Sequence, residues 1–430
     1  MKIIIIISEY KPYVHPRAHR WTAIAELWAA QGHEVHVVTS TASSQADYIL
    51  DNGVHIHRAG VGSLKELINQ WLSKQTNKGI VDSGIPKNTT FSRVISFVND
   101  KIWRKIMWPD SAAPWRKSAE KLAQNIIENV QPNLMISVAL PYTNARVGQR
   151  MKVIFPNLTW IADFGDPFAL NAKNDLNNAF FYENKNKKSE SNLLQHVDYL
   201  TVTTEETRKA YLDFAPFLAQ RCVVIPPLFQ QENIESTATE PRFDANKKHI
   251  AYFGSFYKEE RSPLDFLAVW QQFLTQYPNE AEAFELHFFG NINPSLYQKT
   301  IHVPRVTCHG LLNRKDVAIA MQKVDFLLNI GNKASIQLPS KCVDYWASAK
   351  PILQYRYAEN DLFDAFFDHY PDYHILPHQL DADTKARYLY QFLTKKEVFF
   401  VKNIIQNKLN PYSTAVIAAE YLRLSASLVH

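Results

Sequence analysis

The chain has 430 residues, 46% of them hydrophobic and 21% charged, with a formal net charge of +5. That is too long for one ordinary core and reads as two domains of a soluble globular protein. No apolar run approaches the roughly 20 residues that a membrane-spanning helix needs.

The chain opens on an unbroken apolar run, Ile3–Ile7, which suits a parallel strand covered on both faces. A single Lys, the isoleucine run and then Ser8-Glu9 read as a strand start rather than a signal peptide, since no small-residue cleavage site follows. Further strands are expected near Glu34–Thr39, His55–Arg58, Leu134–Val138, Thr159–Asp163, Tyr199–Thr203 and Cys222–Pro226. Helices should open at Ala18, Phe91, Pro114, Tyr142, Ser189 and Glu205. Pro226-Pro227 and the polar stretch Gln230–Lys248 mark a linker.

A second series then begins near His249–Gly254 and continues near Glu285–Phe289, Val306–Cys308, Asp325–Ile330 and Pro351–Tyr355. Its helices open at Ser262, Asn313, Pro339 and Asp361, and two C-terminal helices follow, the last over about Ser413–Leu428. The expected fold is α/β, with two Rossmann-like, doubly wound parallel-sheet domains facing across a ligand cleft at their strand ends. The expected boundaries are 1–228 and 245–405, with 406–430 beyond them. Cys222, Cys308 and Cys342 are odd in number and scattered in apolar segments, which predicts unpaired thiols in a reducing compartment, the cytoplasm.

Residues 65–117 carry ten Lys or Arg against four Asp or Glu, enough to account for the whole chain's positive excess. Trp71, Trp103, Trp108 and Trp115 are interleaved with them. Phe91–Met107 is the clearest amphipathic stretch, with Phe91, Val94, Ile95, Val98, Ile102 and Ile106 at helical spacing. Two readings stay open: a half-buried helix with a solvated basic face, or contact with an anionic membrane surface or lipid phosphate. No nucleic-acid partner is expected.

The loop Ser8–Arg20 contains no glycine, so it holds neither G-x-G-x-x-G nor a P-loop, which argues against a Rossmann dehydrogenase. It offers His15, Arg17, His19 and Arg20 beside a helix N-terminus, which favours an anion. In the second half, Gly254-Ser255 ends a strand, and Lys258 and Arg261 precede a helix. Leu338-Pro339-Ser340-Lys341 then opens another helix. A lysine in a first helical turn opposes the dipole unless an anion is bound, so Lys341 reads either as a phosphate clamp or, with Asp344, as a surface residue of an ordinary helix. Asp344, one turn on, is placed to accept hydrogen bonds from sugar hydroxyls.

Together these patches resemble the GT-B retaining glycosyltransferases called family four. The resemblance is carried by QGHEVHVVTS in the first βαβ unit and by WPDSAAPW with LTWIADFGDPF, close to a bacterial W-x-A-D-F-R-D-P-W pattern. VDYLTVTTEETRKAYL, CVVIPPLF, IAYFGSFYKEERSPLDFL, VTCHGLLNRKDVAIAMQKVDFLLNI and LPSKCVDYWASAKPIL continue it over nearly the entire chain. The resemblance implies that Asp344 binds the donor ribose and that Arg261 and Lys341 act on the donor diphosphate. It further implies that Gly254, Ser255 and Ser340 line the nucleotide-sugar site, with His309-Gly310-Leu311 against the base. Arg17, His19, Arg20, Tyr142, Asp163 and Asp166 fall on the acceptor side, and the last helix crosses back onto the first domain. Three positions depart from the pattern: Ile336 replaces the first glutamate of E-x7-E, Ser255 replaces an arginine, and Gly165 replaces another.

Asp163-Phe164-Gly165 spells the kinase D-F-G without the companion kinase motifs. Asp381-Ala382-Asp383 spells D-x-D in a late polar stretch and is taken as chance. His33/His36 and His55/His57 lie at strands without zinc-type spacing and read as structural. The expected activity is glycosyl transfer, with retention, from a nucleotide-diphospho-sugar to a carbohydrate or lipid-linked acceptor in cell-envelope polysaccharide synthesis. No metal or other cofactor is expected, and the protein is placed in the cytoplasm or peripherally on the inner membrane face. Two alternatives are a nucleotide-sugar epimerase of the same fold, using Asp163, Asp166 and His19, and a catalytically silent membrane-docking relative.

Overall fold

The computed structural model describes residues 1–13, 16–41, 46–61, 107–170, 177, 179–229, 241–256, 261–332, 338–359, 361–395 and 402–427. The chain divides into two units, one of Met1–Pro226 with Thr414–His430 and one of Pro227–Ser413. The expected helix from Phe91, and with it Trp71 and Trp103, lies outside the described residues.

In the first unit, β1 (Lys2–Ile6), β2 (Glu34–Thr39), β3 (Tyr48–Asp51), β4 (Val54–Arg58), β5 (Leu134–Ala139), β6 (Thr159–Phe164), β7 (Tyr199–Val202) and β8 (Cys222–Val224) form one sheet. Their order is β3-β4-β2-β1-β5-β6-β7-β8. Ile3 to Ile6 are fully buried, as their two-sided cover requires. The helices are α1 (Pro16–Ala30), α2 (Arg116–Val130), α3 (Tyr142–Ile154), α4 (Ala179–Leu194) and α5 (Glu205–Phe214). The chain leaves β1 in one direction and returns to β5 on its other side, which sets the switch point between those strands.

Two elements of the first unit differ from the sequence expectation. β3 pairs antiparallel with β4 through a two-residue loop, Asn52-Gly53, both with positive φ of 49° and 78°. Asn-Gly is the residue pair that a primed hairpin turn demands. α4 starts at Ala179 rather than near Ser189. Its asparagines are poor helix formers, but the buried Asn186 amide bonds Trp108 Nε1 at 3.0 Å and Asn177 Oδ1 at 3.3 Å, so tertiary contacts hold the extra turns.

The second unit has a six-stranded parallel sheet of β9 (Lys248–Phe253), β10 (Phe284–Phe289), β11 (Val306–Gly310), β12 (Phe326–Ile330), β13 (Ile352–Arg356) and β14 (Tyr373–Pro377). The order is β11-β10-β9-β12-β13-β14, with the switch point between β9 and β12. Strand β14 adds an edge beyond the expected ones. Helices α6 (Leu264–Gln276), α7 (Arg314–Lys323), α8 (Lys341–Ser348), α9 (Ala382–Thr394) and α10 (Lys402–Leu409) flank this sheet. Asp381 caps α9 through the Thr384 amide at 2.9 Å, and Asp383 accepts from Gln272, so the D-x-D residues have structural partners. The three cysteines are free. Among the described residues no helix is long and apolar enough to cross a membrane.

The last helix, α11 (Thr414–Ala426), belongs to the first unit and packs on α1. Trp21, Trp28 and Tyr421 meet there with ring centroids 5.0 to 6.4 Å apart, and Trp28 Nε1 donates to the Ala418 carbonyl at 3.3 Å. The Tyr421 hydroxyl donates to Asp163 Oδ1 at 2.9 Å and accepts from Arg20 Nη2 at 3.1 Å. Tyr421→Phe should therefore destabilise the first unit by about 1–3 kcal/mol, because two buried partners lose a hydrogen bond. A urea titration followed by tryptophan fluorescence checks this; an unchanged midpoint contradicts it.

Candidate functional site

At the end of β9 the chain turns through Gly254, whose φ of 148° and amide bond to the Phe289 carbonyl at 2.8 Å fix the exit. Gly290, with φ of 125°, ends β10 beside it, and a Cβ there would stand 2.3 Å from the Gly254 carbonyl oxygen. Two glycines at adjacent strand ends let the backbones approach as no side chain permits. Ser255 follows, half-buried.

Arg261 reaches across the switch point. Its Nε donates to Asn332 Oδ1 at 2.9 Å and its Nη1 to the Tyr252 hydroxyl at 3.0 Å. Lys341, the first residue of α8, places its ammonium 3.8 Å from the centre of the same Tyr252 ring and 5.4 Å from that of Tyr345. Its Nζ is shut off from solvent and has no hydrogen-bond partner among the described residues. Burial, reinforced by the like charge of Arg261 and partly offset by Asp361, holds Lys341 well below the ordinary lysine range. The two residues assigned to the diphosphate thus converge on one tyrosine. Tyr345, one turn along α8, anchors the helix: its hydroxyl donates to the Leu328 carbonyl at 2.9 Å and accepts from the Phe253 amide at 3.0 Å.

Asp344 is half-buried, and its Oδ1 lies 3.3 Å from Arg314 Nη2, a partner that sequence reasoning missed. Only the fold brings α7 against α8, so no local spacing signals that pair. Ser340 is exposed and its side chain caps nothing, unlike the expected helix-opening serine. Gly310 ends β11 with φ of 74°, and Leu311 is 56% exposed. His309 stacks on Phe289 at 4.2 Å and bonds His287, which in turn bonds His249. Burial, with its histidine neighbours, pushes His287 down to about 3, so this imidazole is neutral at physiological pH. Ile336 and Lys258 lie outside the described residues.

The residues placed on the acceptor side belong to the first unit. Asp163 is buried at the end of β6. Its Oδ2 accepts from Arg17 Nη1 at 2.9 Å and Trp21 Nε1 at 3.0 Å, and its Oδ1 from Thr201 at 2.9 Å and Tyr421 at 2.9 Å. A carboxylate with both oxygens doubly occupied is a hub of the fold, and it is badly placed to abstract a proton as an epimerase base must. Arg20 is only 7% exposed and gives its guanidinium to the Pro226 and Ile225 carbonyls and to Tyr421, so it ties α1 to the end of the first domain's chain. The Tyr142 ring is buried, stacked on Phe168 at 3.9 Å with its hydroxyl on Ser189. His19 is half-buried, and Asp166 keeps a 47% exposed side chain 4.0 Å from Arg17.

Gly165 has a physical reason. A Cβ at that position would fall 1.0 Å from Arg17 Nη2, so the Arg17 guanidinium already fills the space beside it. Of the tryptophans in the basic segment, Trp115 is buried and bonds the Ala59 carbonyl at 2.8 Å. Trp108 is flanked by Arg146 at 5.0 Å and Lys185 at 4.0 Å. Both rings make contacts within the first unit. His36 uses one nitrogen on His57 at 3.0 Å and the other on Glu34 at 3.0 Å, in keeping with a structural cluster.

No family model matches the chain, and no curated protein sequence matches it. Solved structures do. A trehalose-6-phosphate synthase studied for glycosyltransfer with retention superposes with a TM-score of 0.63 at 11% identity, over 99% of each chain. HepE of Anabaena, in complex with UDP and glucose, gives 0.57 at 13% identity, over 99% of this chain and 100% of that one. The lipopolysaccharide outer core galactosyltransferase WaaB gives 0.55 at 10% identity, over 99% of each. At such identities the likeness shows the fold: two parallel-sheet units in the GT-B arrangement of elements.

Arg17 and Gly165 should be thermodynamically coupled. Gly165→Ala must expel the guanidinium and so should cost about as much as Arg17→Ala, about 1–3 kcal/mol for a charge-assisted bond. In the Arg17→Ala background the same glycine change should cost little. A double-mutant cycle read by urea unfolding tests this; additive losses contradict it.

Proposed function

We propose that this chain transfers a sugar from a nucleoside-diphospho-sugar to a hydroxyl of a carbohydrate or lipid-linked acceptor. The observation that carries the reading is the convergence of Arg261 and Lys341 on Tyr252 at the switch point of the second sheet, with the Lys341 ammonium sheltered and without a hydrogen-bond acceptor among the described residues. Ligands of open parallel sheets bind outside the carboxyl ends of the strands at such a point. A diphosphate is the anion that fits two cations beside a glycine-lined strand end. The support from neighbours is that HepE was solved with UDP and glucose and that WaaB is named a galactosyltransferase.

Breaking the bond between sugar and phosphate builds positive charge at the anomeric carbon and negative charge on the leaving diphosphate. Arg261 and Lys341, prearranged and poorly hydrated, stabilise that leaving group more than they stabilise the ground state. In this reading the transfer needs no metal ion, the anomeric configuration is retained, and the leaving phosphate takes the acceptor proton. Asp344, held by Arg314, receives the ribose hydroxyls, and the Gly310-Leu311 backbone meets the base. The setting is the cytoplasmic side of the membrane in envelope polysaccharide synthesis, with a lipid-linked acceptor.

Bound diphosphate compensates the burial of Lys341 and raises its pKa toward the ordinary value near 10.4. Binding therefore takes up a proton at any pH between the depressed and the raised value, and affinity falls as pH rises through that window. Titration calorimetry with UDP, GDP and ADP in two buffers of different ionisation enthalpy should show proton uptake with the cognate nucleotide. Lys341→Ala should abolish that uptake and weaken binding by roughly 10- to 100-fold, the loss of a charge-assisted bond. If Lys341→Ala binds nucleotide as tightly as the parent, the diphosphate lies elsewhere.

A further inference from the structure

On two adjacent inner strands of the second sheet, β9 and β10, three donor atoms point at one place. His249 Nδ1 and His287 Nε2 are 2.9 Å apart, and Glu285 Oε2 lies 3.7 Å from the first and 3.8 Å from the second. The carboxylate separations exceed hydrogen-bond range. A point equidistant from all three atoms lies about 2.0 Å from each, the contact distance of Zn²⁺ with imidazole nitrogen and carboxylate oxygen. We propose that His249, Glu285 and His287 form a divalent-metal site of the zinc type, separate from the Arg261–Lys341 diphosphate site and independent of its reading.

The surroundings are those a metal site needs. Both imidazoles are buried, and Phe243 packs over them with ring centroids 4.9 and 5.1 Å away. The other nitrogen of each ligand has a partner: His249 Nε2 donates to the Asp244 carbonyl at 3.0 Å, and His287 Nδ1 meets His309 Nε2 at 3.0 Å. Such outer contacts fix the ring orientation and raise ligand basicity. Lys247 holds the second Glu285 oxygen at 2.7 Å, leaving Oε2 for the ion. Two imidazoles and one carboxylate, with a further position for water, suit Zn²⁺, Co²⁺ or Ni²⁺ better than Mg²⁺ or Ca²⁺. The similar cluster in the first unit lacks this convergence, because His36 turns its two nitrogens to different partners.

Proton accounting closes without a released proton. The Asp244 carbonyl can only accept, so the metal-free chain carries its protons on Nε2 of His249, His287 and His309, each of the last two donating to the next ring. When the ion takes His287 Nε2, that ring's proton moves to Nδ1 and donates to His309 Nε2, whose own proton moves to Nδ1. The count is unchanged, and the tautomer of His309, at the end of β11, inverts.

The test uses the full chain, stripped with EDTA and titrated with Co²⁺. One equivalent should give visible absorption bands of a four- or five-coordinate ion, displaced by Zn²⁺, and Zn²⁺ should raise the melting temperature by several degrees. Glu285→Gln and His287→Ala should each remove the bands, while His36→Ala keeps them. Should His287→Ala fail to fold, Glu285→Gln decides. Nitrogen NMR should show the His309 tautomer inverting as zinc is added. Absence of a cobalt spectrum, or a spectrum that persists in Glu285→Gln, overturns the proposal.

Discussion

A lysine ammonium withdrawn from water beside an arginine guanidinium is the constraint on which the second unit turns. Removing such a charge from solvent costs several kcal/mol unless it is paired. The Tyr252 ring face returns part of that cost as a cation–π contact, and Asp361 contributes attraction without a direct bond. The rest of the neighbourhood holds the pair in place. Tyr345 pins α8 to the backbones of β9 and β12, and Asn332 with the Tyr252 hydroxyl fixes the Arg261 fork. Gly254 and Gly290 keep the adjacent strand ends free of side chains. Stability is given up locally to keep two cations poorly hydrated, as the proposed diphosphate site would require.

The first unit is organised around a charge of the opposite sign. Asp163 draws β6, β7, α1 and α11 together through four hydrogen bonds. Arg20 extends the same network to the last carbonyls of that unit's main segment. The chain's final helix is therefore bound by buried polar bonds as well as by the stacking of Tyr421 with Trp21 and Trp28. Such networks specify one arrangement because every member left unpaired is costly. Residues that resemblance assigns to substrate also serve the scaffold, and here Arg20, Asp163 and Tyr142 each hold partners within the first unit.

The alternation of buried strands with amphipathic helices was legible because parallel strands read as continuous apolar runs and their helices as periodic ones. The pairing of Arg261 with Lys341 was legible in kind, since a cation in a first helical turn is anomalous in sequence. Tyr252, their shared support, was not: a tyrosine inside a strand run looks like core. Strand β3 carries its signal in Asn52-Gly53, and its residues are largely exposed in the fold. The Arg314–Asp344 pair and the His249–Glu285–His287 cluster join separate elements, so only register and packing reveal them. Gly165 stands in sequence as a departure from the family pattern, and the fold shows Arg17 occupying its space.

The most direct test of the central claim is a crystal structure of the protein with UDP, GDP or ADP. The account predicts diphosphate oxygens within hydrogen-bond distance of both Lys341 Nζ and the Arg261 guanidinium, above the Tyr252 ring. A nucleotide bound with its diphosphate remote from those two side chains would contradict it.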